Sequence, residues 1–219
     1  MITTVDVETS WQKTETGGYD PSPFHPDNIL VSVGINDEYY FTNHSERIDK
    51  GCASKIQSIL DKTTLLIGHN IKFDLMWLLE SGFKYSGKVY DTMLGEYVLN
   101  RGVRKSLTLE MSCRRRRIGS KDSRIKEFTD RGIPFQDIPA DLVEEYGRID
   151  VEITRRLFDS QMGDLKMAKN KGLLMTLKMM NEFLIVLSDM ERNGININLD
   201  ELSKVEKEYR AEFAYLKQK

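Results

Sequence analysis

Residues 65–80 read L-L-I-G-H-N-I-K-F-D-L-M-W-L-L-E, a short apolar run, a Gly-His-Asn break, and then an apolar stretch of helical length. Leu65 to Ile67 predicts the end of a strand, and Asn70 is placed as an N-cap whose side chain accepts a free backbone N–H. Phe73, Met76, Trp77 and Leu79 recur at three- and four-residue spacing, so the helix that follows is partly buried. Asp74 then lies in its first turn. The helix dipole alone favours an acid there, but it accounts for neither Asn70 nor Phe73 at these offsets.

Upstream, Ile2 to Val7 (I-T-T-V-D-V) is β-branched and leads into a polar stretch rich in Gly and Pro, which predicts a first strand. Strand side chains alternate, so Asp6 and Glu8 point the same way. Two carboxylates aimed together repel unless a cation lies between them; a solvated acidic strand end is the alternative reading. Downstream, residues 139–162 form a helical pattern with Leu142, Val143, Tyr146, Ile149, Ile153 and Leu157 on one stripe. Tyr146 and Asp150 are four apart and share a face beside that stripe. A carboxylate beside a buried stripe is costly unless paired or bound to a metal. A Tyr-Asp surface pair is the competing explanation.

Between these landmarks, the sequence predicts a long loop through Trp11-Gln12-Lys13 and Tyr19-Asp20-Pro21-Ser22-Pro23. A hairpin of Ile29 to Ile35 and Glu38 to Thr42 turns at Asn36-Asp37. A helix follows near Cys52 to Leu60, and a last short strand near Val89-Tyr90. Beyond Thr92 the chain reads mostly helical, with breaks near Gly119 and at Gly132-Ile133-Pro134, and further helices over Glu182 to Met190 and Asp200 to Leu216.

The three acidic signatures resemble a known family. D-V-E-T (Asp6 to Thr9), G-H-N-x-x-F-D (Gly68 to Asp74) and Y-x-x-x-D-x-x-x-T (Tyr146 to Thr154) are similar, in order and context, to the exonuclease motifs of the tyrosine-bearing DEDD superfamily. That branch includes proofreading domains of family A DNA polymerases and ribonuclease D-like RNA exonucleases. V-Y-D-T-M-L-G-E-Y-V-L-N (Val89 to Asn100) and Lys105-Ser106-Leu107 add to the likeness, which covers about residues 1–163. Glu182 to Leu202 resembles the junction into a family A polymerase domain, which favours DNA over RNA.

The resemblance implies an α/β fold of ribonuclease H-like type, a mixed five-stranded sheet flanked by helices, with a C-terminal helical extension. Residues 1–163 would be the 3′-5′ exonuclease domain and 164–219 the extension. The implied cofactor is a pair of Mg²⁺ or Mn²⁺ ions, consistent with oxygen-only ligands. Asp6 would bridge both, Glu8 and Asp150 would complete the first site, and Asp74 would hold the second. Tyr146 would orient the attacking water, since a phenol of ordinary pKa about 10 is a poor base near neutrality. Thr9, Asn70 and Phe73 match positions near the bound terminal nucleotides. The implied partners are a single-stranded DNA 3′ end and a polymerase domain or subunit. A monomer is expected, in a bacterial or phage-infected cytoplasm, and the start at Met1 most resembles compact phage-type polymerases. A ribonuclease D-like RNA exonuclease and a non-catalytic exonuclease-like scaffold are the alternatives.

Composition agrees. The 219 residues are 40% hydrophobic and 30% charged, with net charge −2, which suits a soluble domain plus a helical extension. There is no apolar run of about 18 residues and no signal peptide. Cys52 and Cys113 are too few and scattered for a disulfide framework or a thiolate metal site. The Arg114–Arg117 run is either a phosphate contact or a solvated loop. His69 either faces the site or, as strand-end histidines often do, hydrogen-bonds backbone.

Overall fold

A computed structural model describes residues 1–120, 124–167 and 170–217. Five strands form one mixed sheet in the order β5-β4-β1-β6-β7: β1 (Ile2–Thr9), β4 (Leu30–Ile35), β5 (Glu38–Phe41), β6 (Leu65–Gly68) and β7 (Lys88–Asp91). β1 runs antiparallel to β4 and parallel to β6, and β6 is parallel to β7. This is the ribonuclease H-like α/β architecture expected from the sequence.

Alternation along β1 sorts its side chains between two helical layers. Val5 and Val7 join Ile56 and Leu60 of α1 (Cys52–Lys62) and Leu75, Trp77 and Leu78 of α2 (Ile71–Glu80) in the largest core cluster. On the other face Tyr39 and Phe41 pack with Ala140 and Val143 of α6 (Ala140–Leu165). A further cluster joins Ile67 and Tyr90 to Val98 of α3 (Thr92–Leu99) and to Phe158 of α6.

β1 pairs with β6 only through Thr4, opposite Ile67. Beyond that point the chain leaves β1 toward β4 and leaves β6 toward β7. The carboxyl ends of these parallel strands are therefore a topological switch point, where open α/β sheets place their ligand crevices.

Several local expectations need correction. β1 continues through Glu8 and Thr9, with a register irregularity between them against β4. The presumed loop after it contains a small hairpin, β2 (Gln12–Lys13) with β3 (Tyr19–Asp20). Asn70 does stand at the N-cap, but in the left-handed conformation (φ 64°) and with no capping bond from its side chain. α7 (Lys171–Asn193) begins well before Glu182 and buries Leu177 and Leu184.

Contacts define one compact unit over Met1–Ser188 and a second over Asp189–Lys219. The second contains α8 (Leu199–Lys217), which buries no residue. The Asn198 side chain accepts from the N–H groups of Asp200 and Glu201 at its start. Among the described residues no helix is long and apolar enough to cross a membrane.

Candidate active site

Asp6 of β1 and Asp74 of α2 come together at the switch point, Glu8 lies two residues along β1, and Asp150 sits on α6, which packs against the same strand. Asp6 and Glu8 share one face of β1, opposite Gly34 and Ser32 of β4. Asp6 is partly exposed, whereas Glu8 is 8% exposed. Both charges reach the Tyr39 phenol, which is held well above its usual range, first by burial and then by Glu8, with Asp6 also contributing. That phenol shares a 2.7 Å hydrogen bond with Ser32 Oγ and donates to the Val143 carbonyl of α6.

Asp74 arrives from α2. Where β1 parts from β6, the Val7 N–H would lack a ladder partner; it donates to Asp74 Oδ1 at 3.0 Å. Asp74 is 4% exposed. Burial above all, then the charge of Asp6, raise its pKa well above the ordinary carboxylate value, while the Val7 bond works the other way. Asp91 adds to the same rise.

Asp150 arrives from α6, and two glycines let it come close. A Cβ at Gly147 would stand 2.4 Å from a Tyr39 ring carbon, and one at Gly34 would stand 2.8 Å from Val151. A side chain at either position would force the Tyr39 ring or Val151 to shift. Asp150 is 2% exposed. Tyr146, one turn earlier, sets its half-buried ring against Phe135 at 6.1 Å.

The remaining expected residues have distinct surroundings. Thr9 ends β1 and is buried. Asn70 is exposed, and the Phe73 ring is half-buried against the main core cluster. His69 takes the backbone alternative: Nε2 meets the Leu107 carbonyl at 2.8 Å and Nδ1 the Thr92 hydroxyl at 2.9 Å.

An aromatic ladder continues outward from Tyr146. Phe135 packs edge-on to Trp11 (5.7 Å, 88°), and Trp11 packs edge-on to Tyr19 (5.7 Å, 68°). Trp11 and Tyr19 belong to the segment expected to be loop, so their convergence on Tyr146 was not readable from spacing. A tryptophan three residues beyond Glu8 was the available signal.

The arginine run fits neither expectation as a whole. Residues 109–116 form α4 (Leu109–Arg116). Arg115 and Arg116 pair with Glu96 at 3.0 and 2.5 Å, and Arg116 also reaches Asp164 at 2.7 Å. Glu96 is 3% exposed and additionally receives Gln161. Burial by itself would raise its pKa, yet the Gln161, Arg115 and Arg116 hydrogen bonds hold it below the ordinary glutamate value. Only Arg114 and Arg117 are exposed. Arg116→Leu should therefore destabilise the fold by about 3 kcal/mol, because it strips a buried carboxylate of a partner. A group with a lowered folded pKa stabilises above its unfolded pKa and loses that contribution as pH falls through the folded value. The gap between variant and wild-type melting should accordingly narrow on acidification. Equal melting temperatures at neutral pH would show that Arg115 suffices alone.

The donor set is oxygen only, and Asp6 and Asp74 repel each other across the crevice. Both features fit a hard divalent cation. Among the described residues no three acidic, histidine or cysteine side chains are already gathered into a metal cage, so the carboxylates would draw in around an ion.

Comparison with known proteins agrees with this reading. Residues 13–166 match the DNA polymerase A family described as 3′-5′ exonuclease. DNA polymerase I of Borreliella burgdorferi is 26% identical over 193 residues, covering 86% of this chain. The chain spans 21% of the length of that relative. Among solved structures, Brucella melitensis NrnC with bound Mg²⁺ is similar at TM-score 0.63 and 17% identity, with 88% of this chain and 86% of that one covered. The catalytic core of RRP6 from Trypanosoma brucei is similar at TM-score 0.56 and 13% identity, covering 84% and 45%. Family members hydrolyse phosphodiester bonds and generally use divalent metals. This chain belongs to the 3′-5′ exonuclease family of the family A DNA polymerases.

Proposed function

We propose that the chain removes nucleotides from DNA 3′ ends, proofreading for a DNA polymerase domain or subunit to which residues 164–219 lead. The observation that carries the chemistry is Asp74 seated on the Val7 N–H beside Asp6, at the end of the strand that also bears Glu8. The likeness to a DNA polymerase I over 86% of the chain supports DNA as substrate.

Asp6, Glu8, Asp74 and Asp150 would hold two Mg²⁺ or Mn²⁺ ions. Bound ions of this kind make a coordinated water more acidic and stabilise charge on the phosphate and the leaving 3′ oxygen. Tyr146 orients the attacking water, its ring steadied by Phe135. Thr9, Asn70 and Phe73 contact the terminal nucleotides.

The aromatic ladder gives the departing strand a surface to lie on. Bases stack on exposed aromatic rings with about 1–3 kcal/mol each, largely without regard to sequence. Trp11→Ala should raise KM for single-stranded DNA about tenfold while leaving kcat within a factor of two. Trp77 is 3% exposed and bonded to the Pro21 carbonyl, so quenching of tryptophan fluorescence by oligonucleotide reports on Trp11. Unchanged KM together with absent quenching would make the ladder a packing feature only.

A second reading, an RNA exonuclease, draws on the fold likeness to NrnC, one structure of which is bound to pGG, and to RRP6. Competition between DNA and RNA of the same sequence, with Mg²⁺ or Mn²⁺, decides between the two. Faster loss of the DNA 3′ terminus is expected, and a clear preference for RNA would overturn the proofreading assignment.

A further inference from the structure

α2, the helix that carries Asp74, has no cap of its own. Asn70 stands at its start in the left-handed conformation, and its side chain makes no capping bond. The missing acceptor comes from Asp91, 21 residues further along the chain and only 1% exposed. Asp91 Oδ1 accepts from the Asn70 N–H at 2.9 Å and from the Met93 N–H at 2.8 Å. The backbone N–H groups of Ile71 and Leu94 also favour its charged form. One buried acid thus caps two helices, α3 locally and α2 at a distance.

Asp91 is itself fixed from several sides. Its backbone N–H donates to Asn181 Oδ1 of α7 at 2.9 Å. The next residue, Thr92, donates to the Gly68 carbonyl and meets His69. Gly68, His69 and Asn70 are the turn that leads from β6 into α2, so both ends of that turn are tied to the end of β7.

We propose that Asp91 is a positioning residue for hydrolysis. By capping α2 in place of Asn70, it sets the height and rotation of the first turn, so that the Asp74 carboxylate meets the end of β1 beside Asp6. This rests on the hydrolytic reading above. A single oxygen, Oδ1, accepts from both helices, and the carboxylate charge strengthens each of those bonds. Asparagine can keep Oδ1 in place only as a neutral, weaker acceptor. Serine can cap α3 locally but is too short to reach back to Asn70.

The test compares Asp91→Asn and Asp91→Ser with wild type on a 5′-labelled single-stranded oligonucleotide, well below each variant's melting temperature. Mn²⁺ binding is followed separately by electron paramagnetic resonance. In Asp91→Ser, kcat per folded molecule should fall at least tenfold, KM should stay within twofold, and the half-saturating Mn²⁺ concentration should rise. Asp91→Asn should recover part of both losses, and it decides the matter if the serine variant fails to fold. Wild-type kcat and Mn²⁺ affinity in the folded variants would overturn the positioning role and leave Asp91 as a fold-stabilising cap. A wild-type protein that cleaves nothing would instead contradict the hydrolytic reading on which the proposal rests.

Discussion

Asp6→Ala, alone or with Glu8→Ala, is expected to reduce cleavage below one percent of wild type while the protein stays folded. Asp6 is the carboxylate whose charge reaches both groups: it raises the pKa of Asp74 and, after Glu8, that of Tyr39. Its removal would take away the ligand proposed to be shared by both ions, and it relieves repulsion in the metal-free protein. Melting temperature without metal should therefore hold or rise, against the usual trend for a mutation near a core. The same repulsion gives a sharper result at Asp74. An acid whose folded pKa is raised favours the folded state at low pH and opposes it as pH rises through the folded value. Asp74→Asn keeps an acceptor for the Val7 N–H but carries no charge, so metal-free melting should rise near pH 7.5 and converge with wild type on acidification. A variant that melts lower at every pH would show that the Asp74 charge is already compensated.

Tyr146→Phe should lower kcat by about tenfold or more with little change in KM. A hydroxyl that orients the attacking water contributes mainly in the transition state. The ring itself packs beside Phe135 in the cluster with Tyr39 and Val143, and phenylalanine preserves that packing. Loss of activity with unchanged melting would assign the effect to the hydroxyl. Unchanged turnover would make Tyr146 a packing residue of α6.

What the sequence made legible follows from period and punctuation. α6 buries one face, so helical spacing found it; β1, β4 and α2 are buried nearly all round and were marked instead by β-branched or apolar runs bounded by Gly, Asn and Pro. What it hid depends on partners distant in the chain. The β2–β3 hairpin has two residues per strand, too few to show a period. Asn70 looks like a side-chain cap because its residue type favours one; its left-handed backbone and the Asp91 carboxylate do that work instead. Arg115 and Arg116 could be read as phosphate contacts or as part of a solvated run, yet both pair with Glu96, which lies a whole helix away and is buried. The roles of Gly34 and Gly147 are invisible until Val151 and Tyr39 are seen against them.

Hydrolysis of the 3′-terminal phosphodiester of a single strand by Asp6, Glu8, Asp74 and Asp150 together is tested most directly with 5′-labelled and 3′-labelled single-stranded DNA in parallel, with Mg²⁺, Mn²⁺ or Ca²⁺, for wild type and Asp6→Ala. The 5′-labelled strand should shorten one nucleotide at a time while the 3′ label is released at once as nucleoside 5′-monophosphate. Mg²⁺ or Mn²⁺ should support the reaction, Ca²⁺ should not, and Asp6→Ala should do nothing with any of them. Internal cuts of mixed length, equal activity in Asp6→Ala, or a metal-replete wild type inert on every 3′ end would contradict it.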